Sequence, residues 1–81
     1  MNPYVKSVNP LDKYHLEIIF ENGECRVFDM NPYLNKGVFV KLKNPSVFKR
    51  VKVESGSIEW PENIDLSYDT LYLESKKFFK C

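Results

Sequence analysis

The chain has few of the residues that form disulfides, metal sites or phosphate loops. Its 81 residues include two cysteines, Cys25 and Cys81, one histidine and three scattered glycines. The cysteines form no Cys-x-x-Cys pair, and His15 has no second ligand at metal spacing. The glycines form no phosphate-binding loop. We therefore expect no metal, no cofactor and no disulfide framework, with Cys25 acting as a small buried hydrophobe.

Long apolar runs are also absent. No run approaches the roughly 20 residues that span a bilayer, and the first six residues carry no apolar signal segment. These features predict a cytoplasmic protein that does not contact a membrane. Hydrophobic residues make up 43% of the chain and aromatic residues 15%, which is enough for a packed core. The length fits one domain, residues 1–81.

The clearest local pattern is Asn22-Gly23 between two alternating apolar segments. Both residues tolerate positive φ, so the pattern predicts a two-residue type I′ hairpin turn. That turn pairs Phe20 with Cys25 and Ile18 with Val27 on a buried face. It places four residues on the opposite side: Glu17, Ile19, Arg26 and Phe28.

Proline, glycine and capping residues predict the remaining elements. Proline interrupts a strand ladder, and asparagine or serine before a helix caps its first turn. The predicted elements are a strand over 4–8 ended by Pro10, helical turns opened by Asn31-Pro32 and Asn44-Pro45, strands over 51–54 and 57–60 joined at Ser55-Gly56, and a helix over 68–75 capped by Ser67. The expected fold class is α+β, with an antiparallel sheet of about five strands and one or two short helices.

Charge is segregated along the chain although the net charge is only +1. Between residues 36 and 52 there are six basic and no acidic residues: Lys36, Lys41, Lys43, Lys49, Arg50 and Lys52. Between residues 54 and 74 there are six acidic and no basic residues: Glu54, Glu59, Glu62, Asp65, Asp69 and Glu74. The basic segment could bind nucleic acid, but we favour pairing between adjacent strands, because nucleic-acid-binding domains normally carry a clear positive excess.

The acidic segment offers candidate acid–base or metal-binding carboxylates, namely Glu59, Glu62, Asp65 and Asp69. Their spacing does not match a calcium-binding loop. Acidic residues before and within a helix N-terminus are also explained by capping and the helix dipole. We therefore expect a protein that is not an enzyme, with a small carboxylate-dependent hydrolase as the least favoured alternative.

Trp60 is the strongest single candidate for a partner contact, because tryptophan is enriched at interface hot spots. In a small domain the same side chain is equally useful in the core, and we favour a largely buried Trp60 whose indole nitrogen finds a nearby acceptor. The candidate partner-binding residues are Trp60, Asp65, Lys49, Arg50 and Lys52.

In their order and spacing, several segments resemble the bacterial domain of unknown function 2442 family. The segments are 3–5, 14–20, 21–24, 27–29, 58–61 and 64–66. The resemblance implies a small α+β domain, sometimes found beside a DNA-binding segment or encoded next to another small protein in apparent toxin–antitoxin pairs. It implies no catalytic residues.

The leading hypothesis is a noncatalytic protein-interaction module, as an antitoxin-like component of a small bacterial operon whose partner is another small protein. The second hypothesis is a nucleic-acid-binding accessory that uses residues 36–52. The sequence leaves the identity of the partner and the oligomeric state open.

Overall fold

The computed structural model describes residues 2–78, which fold into seven strands and two short α-helices. The strands are β1 (Val5–Leu11), β2 (His15–Phe20), β3 (Cys25–Asp29), β4 (Lys52–Glu54), β5 (Ser57–Trp60), β6 (Ile64–Leu66) and β7 (Lys76–Phe78). The helices are α1 (Pro45–Phe48) and α2 (Tyr68–Glu74), and 3-10 segments cover Asp12–Tyr14, Asn31–Tyr33 and Gly37–Lys43. The α+β class is confirmed.

The strands form two antiparallel sheets, where the sequence predicts one sheet of about five strands. One sheet has the order β1-β2-β3-β7 and the other β4-β5-β6. A backbone hydrogen bond links them, in which the N–H of Val5 donates to the carbonyl oxygen of Gly56 at 2.8 Å. The prediction omits β6 and β7, each of only three residues, because alternation indicates a strand only over four or more residues, as in the segment 51–54.

The register predicted for the β2–β3 hairpin is wrong by one residue. Leu16 lies opposite Phe28, and Ile18 lies opposite Arg26. A shift of one residue exchanges the two faces of a strand, so Phe28 joins the hydrophobic core and Arg26 lies across from buried Ile18. Cys25 is buried as predicted, but its cross-strand neighbour is Ile19.

The cause of the shift is a three-residue loop. The N–H of Gly23 donates to the carbonyl oxygen of Phe20 at 3.0 Å, and the N–H of Phe20 donates to that of Glu24 at 2.9 Å. Gly23 has a φ of +89°. The Asn22 side chain accepts a hydrogen bond from the Glu24 N–H at 3.0 Å. One positive φ followed by a bulge is typical of three-residue hairpin loops, whereas a type I′ turn needs two.

The hairpin of β4 and β5 does have the predicted two-residue turn. Ser55 and Gly56 have φ values of 51° and 81°, and Glu54 pairs with Ser57. Gly56 is required for a second reason, because a Cβ built there would lie 2.6 Å from Cδ1 of Tyr4. The turn therefore packs directly against the start of the other sheet.

Strand β1 continues through Pro10, where the sequence predicts its end. Pro10 pairs with Leu16 of β2. The prediction fails because β1 is an edge strand of its sheet, and an edge strand tolerates a residue that lacks an N–H donor on its outer side.

Two of the three predicted helix caps, Asn44 and Ser67, are confirmed. The Asn44 side chain accepts from the Ser46 N–H at 3.0 Å, and the Ser67 hydroxyl accepts from the Thr70 N–H at 3.4 Å. The cap predicted at Asn31 is wrong, because Asn31 is the first residue of a 3-10 turn whose N-cap is Met30. Its side-chain amide donates to Lys13 and Asp29 instead. Helix α2 ends at Glu74, one residue before the predicted end, and Lys76 and Lys77 belong to β7.

The buried hydrophobic residues form one cluster that includes side chains from both sheets and both helices. Trp60 is only 2% exposed, and its indole Nε1–H donates to the carbonyl oxygen of Phe48 at 3.0 Å. The prediction of a buried tryptophan with a nearby acceptor is confirmed. Among residues 2–78, no helix has the length and apolar character needed to cross a membrane.

Candidate partner-binding surface

The turn after α1 contributes adjacent residues to two surface hollows. Arg50 lines a hollow of about 370 Å³ together with Lys52, Glu59 and Glu62, and this is the Arg50 hollow. Lys49 lines a second hollow of about 230 Å³, here named the Leu11 hollow after another lining residue. The sequence assigns neither hollow, because each combines segments that are distant along the chain.

The Arg50 hollow carries ion pairs between the basic and acidic segments. Lys52 lies opposite Glu59 in the β4–β5 ladder, with 3.3 Å from Nζ to Oε1. Lys41 Nζ lies 3.1 Å from Oε1 of Glu62. Such solvated pairs each contribute about 0.2 to 1 kcal/mol. The prediction that adjacent strands of the two segments place opposite charges together is confirmed for Lys52 and Glu59.

The structure brings together three of the five predicted partner-binding residues. Arg50, Lys52 and Trp60 line the Arg50 hollow. Trp60 offers little contact area itself because it is buried, so it acts as a rigid support beneath charged neighbours. Lys49 lines the Leu11 hollow instead. Asp65 lies opposite Glu59 in the β5–β6 ladder, on the side of Glu59 away from Lys52.

The remaining polar candidates have local structural partners. Asp69 accepts a hydrogen bond from Asn2 Nδ2 at 2.9 Å and lies in the first turn of α2. His15 is half-buried opposite Asp29, with 3.8 Å between Nε2 and Oδ1. Within residues 2–78, histidine, cysteine and carboxylate side chains form no group of three or more that could hold a metal ion.

The edge of the Leu11 hollow has an unusual backbone conformation. Lys13 and Tyr14 have φ values of 59° and 61°, a region that costs a non-glycine residue about 1 kcal/mol or more. The Lys13 carbonyl oxygen accepts from Asn31 Nδ2 at 2.8 Å, and that of Tyr14 accepts from the Met30 N–H at 2.9 Å. The Tyr14 hydroxyl donates to the carbonyl oxygen of Lys43. These bonds hold the edge in place.

A polar cluster surrounds Glu24, and the sequence does not predict it. Its carboxylate accepts from Arg26 Nη2 at 2.8 Å, from Asn22 Nδ2 at 2.7 Å and from the Tyr72 hydroxyl. The Arg26 guanidinium carbon lies 4.0 Å from the centre of the Tyr72 ring. Hydrogen bonds from Tyr72 and Asn22, with a smaller contribution from Arg26, lower the pKa of Glu24 from 4.5 to about 2 despite the opposing effect of burial.

This cluster joins α2 to the β2–β3 hairpin. Glu24 lies one residue before β3 and two residues before Arg26, and this spacing is the only signal that the sequence offers. Tyr72 is 48 residues from Glu24, and nothing local predicts that they meet.

Residues 5–77 match the family described as "Protein of unknown function (DUF2442)". The chain belongs to this family. The match covers nearly the whole chain and confirms the resemblance found in the sequence. No curated protein and no solved structure matches the chain.

In this DUF2442 chain, the segments that carry the resemblance build the sheets and their connections. Residues 14–20 include all of β2, residues 21–24 contain the hairpin loop, and residues 58–61 contain most of β5 and the proline that follows it. The two hollows draw on other segments as well, such as the turn at Lys49 and Arg50. The family motifs therefore account for the fold but do not include the turn that lines both hollows.

Proposed function

We propose that this DUF2442 chain is a noncatalytic protein-interaction module that binds another small protein in the bacterial cytoplasm, as an antitoxin-like component of a small operon. The observation that carries the proposal is the Arg50 hollow, whose lining includes Arg50, Lys52, Glu59 and Glu62. Side chains of both charge signs suit a protein surface, which presents both signs in return. A small-molecule site is mostly apolar, and a nucleic-acid backbone is uniformly negative.

The noncatalytic part of the proposal is supported by the ion pairs that two of the candidate carboxylates form with lysines. Glu59 is paired with Lys52, and Glu62 with Lys41. Each of these carboxylates is therefore directed at a lysine of the same chain. These pairs are explained by sheet pairing and surface charge balance.

Nucleic-acid binding is the second candidate, and a specific pair of residues favours it. Within residues 2–78, Lys49 and Arg50 make no ion pair, and both are exposed in the turn after α1. Two adjacent cations can contact successive phosphates. Against this, the pairs of Lys41 and Lys52 with glutamates neutralise two of the six cations of residues 36–52 and, within the described part of the chain, leave four without a neutralising carboxylate.

The experiment compares two partners for one set of variants. Lys49, Arg50 and Lys52 are changed together to glutamine, and a matched control changes three exposed lysines elsewhere: Lys6, Lys76 and Lys77. Binding to the product of the neighbouring gene and to duplex DNA is measured across a salt series. The proposal predicts binding to the protein, weakened modestly by the first triple variant and not by the control, because rim charges mainly tune encounter.

Nucleic-acid binding predicts a different result. Loss of three phosphate contacts would flatten the plot of log affinity against log salt by roughly 2.7 for duplex DNA. Salt-steep DNA binding at physiological ionic strength, without binding to the neighbouring gene product, would replace the protein-interaction proposal by this second candidate.

A further inference from the structure

The Leu11 hollow has the dimensions and lining of a socket for one side chain. At about 230 Å³ it is smaller than the roughly 300 to 1,000 Å³ of typical small-molecule sites. Leu11, Pro45 and Phe48 contribute apolar surface to it. Leu11 remains 37% exposed, whereas Phe48 is anchored in the core at 3%. An apolar side chain placed here would cover Leu11 and rest on a fixed support.

The charged residues around the hollow favour an acidic occupant. Lys13 and Lys49 line the hollow and are exposed. Asp12 is the one acidic residue among its lining residues. Among residues 2–78, neither lysine forms an ion pair. Two unpaired cations beside an apolar floor complement a segment in which carboxylates flank an apolar residue.

The edge of the hollow is preorganised. The left-handed conformations of Lys13 and Tyr14 are held by bonds from Asn31 and Met30 and by the bond from the Tyr14 hydroxyl to Lys43. The Tyr14 ring also packs edge-on against Phe48, with 5.3 Å between centroids. A site that is rigid before binding loses little conformational entropy when an occupant enters.

We propose that the Leu11 hollow binds one leucine or phenylalanine side chain from an acidic segment of a partner protein. The inference rests on the proposed function and specifies the chemistry of the partner. Lys49 and Arg50 are consecutive, and each lines one of the two hollows.

The test uses a defined probe with the full chain. The capped pentapeptide Asp-Glu-Leu-Asp-Glu is titrated into the isotopically labelled protein, and amide chemical shifts are followed by NMR. Two matched peptides replace leucine by serine or all four acids by lysine. We expect shifts centred on Leu11, Tyr14 and Lys49, with binding weakened about tenfold or more by serine. The lysine peptide should not bind.

Variants of the protein provide the second arm. Leu11→Ser should reduce peptide affinity severalfold, whereas the control Leu73→Ser, at a residue 70% exposed on α2, should not. Changing Lys13 and Lys49 together to glutamine should weaken binding about threefold, as expected for solvated charges. Amide spectra without peptide check that each variant is folded, and the lysine variant keeps the test valid if Leu11→Ser does not fold.

The inference is overturned if the leucine and serine peptides bind equally, if the peptide does not bind, or if the shifts lie elsewhere. It is also overturned if dilution of the protein alone moves the same amides, because the occupant would then be a second copy of this chain. If Leu11→Ser binds the neighbouring gene product as well as the wild type does, the inference fails while the interaction module stands. If the peptide binds as expected but no protein partner does, the inference about the hollow survives without the proposed function.

Discussion

The indole N–H of Trp60 donates to the carbonyl oxygen of Phe48, so the end of β5 is fastened to the end of α1 at 3.0 Å. The aromatic rings of Trp60 and Phe48 also stack, with 6.3 Å between their centroids. This contact lies beneath the turn that supplies Lys49 and Arg50 to the two hollows. The position of the turn at Lys49 and Arg50 therefore depends on the packing of one buried tryptophan.

Replacing Trp60 by phenylalanine should destabilise the fold by about 1 to 3 kcal/mol, because a buried carbonyl oxygen loses its donor. Trp60→Ala should cost about 3 to 5 kcal/mol through the cavity that it creates. Urea denaturation followed by circular dichroism measures both values. A Trp60→Phe variant as stable as the wild type would show that the hydrogen bond contributes nothing.

Gly56→Ala should destabilise the protein more than Gly23→Ala does. Both glycines have positive φ, which costs alanine about 1 kcal/mol. A Cβ at residue 56 also clashes with Tyr4, whereas a Cβ at residue 23 meets no atom of the other described residues within 4 Å. The measurement is the difference in free energy of unfolding between the two variants. Adding Tyr4→Ala to each should narrow that difference, and an unchanged difference would contradict the steric explanation.

Glu24 should make the protein more stable at neutral pH than in acid. Its folded pKa is lowered from 4.5 to about 2, so the native state favours the charged carboxylate. The stabilisation is complete above the unfolded pKa and is lost as the pH falls through the folded pKa. Glu24→Gln should therefore be less stable than the wild type at pH 7, with a difference that shrinks between pH 4.5 and about 2.

The control for Glu24 is Glu54→Gln, at an exposed residue of β4. Urea denaturation at a series of pH values compares the two variants with the wild type. An equal pH dependence for wild type and Glu24→Gln would show that the hydrogen bonds from Tyr72 and Asn22 do not favour the charged form.

The pair of Lys52 and Glu59 should show a coupling energy of about 0.2 to 1 kcal/mol in a double-mutant cycle with alanine. The cycle is measured by urea denaturation at low and high salt. Screening should reduce the coupling at high salt, since both side chains are solvated. A coupling that does not respond to salt would indicate packing between the side-chain stems instead of charge attraction.

Features fixed by neighbouring residues were predictable from the sequence. Asn44 and Ser67 cap their helices through side chains two and three residues from the groups they bind, and Ser55-Gly56 forms the expected turn. The Asn22-Gly23 register failed because two loop geometries compete for that pair, and the Asn22 side chain stabilises the longer one.

Features fixed by distant residues were not predictable. Strand β7 exists through its pairing with β3, and the contact of Glu24 with Tyr72 joins segments that no local pattern connects. The candidate surface shows the same division. The basic turn at Lys49 and Arg50 can be read from the sequence, but the hollows that it lines require Leu11 and Glu59 to be brought alongside it by the fold.

Pro10 has a consequence for how copies of the chain meet one another. An exposed edge strand offers a row of backbone groups on which a further strand can grow, and this is a common route to aggregation. Strand β1 has seven residues, long enough to act as such a template, but proline supplies no N–H at one position. A strand added to this edge would therefore lack one backbone hydrogen bond at Pro10, which disfavours edge-to-edge growth.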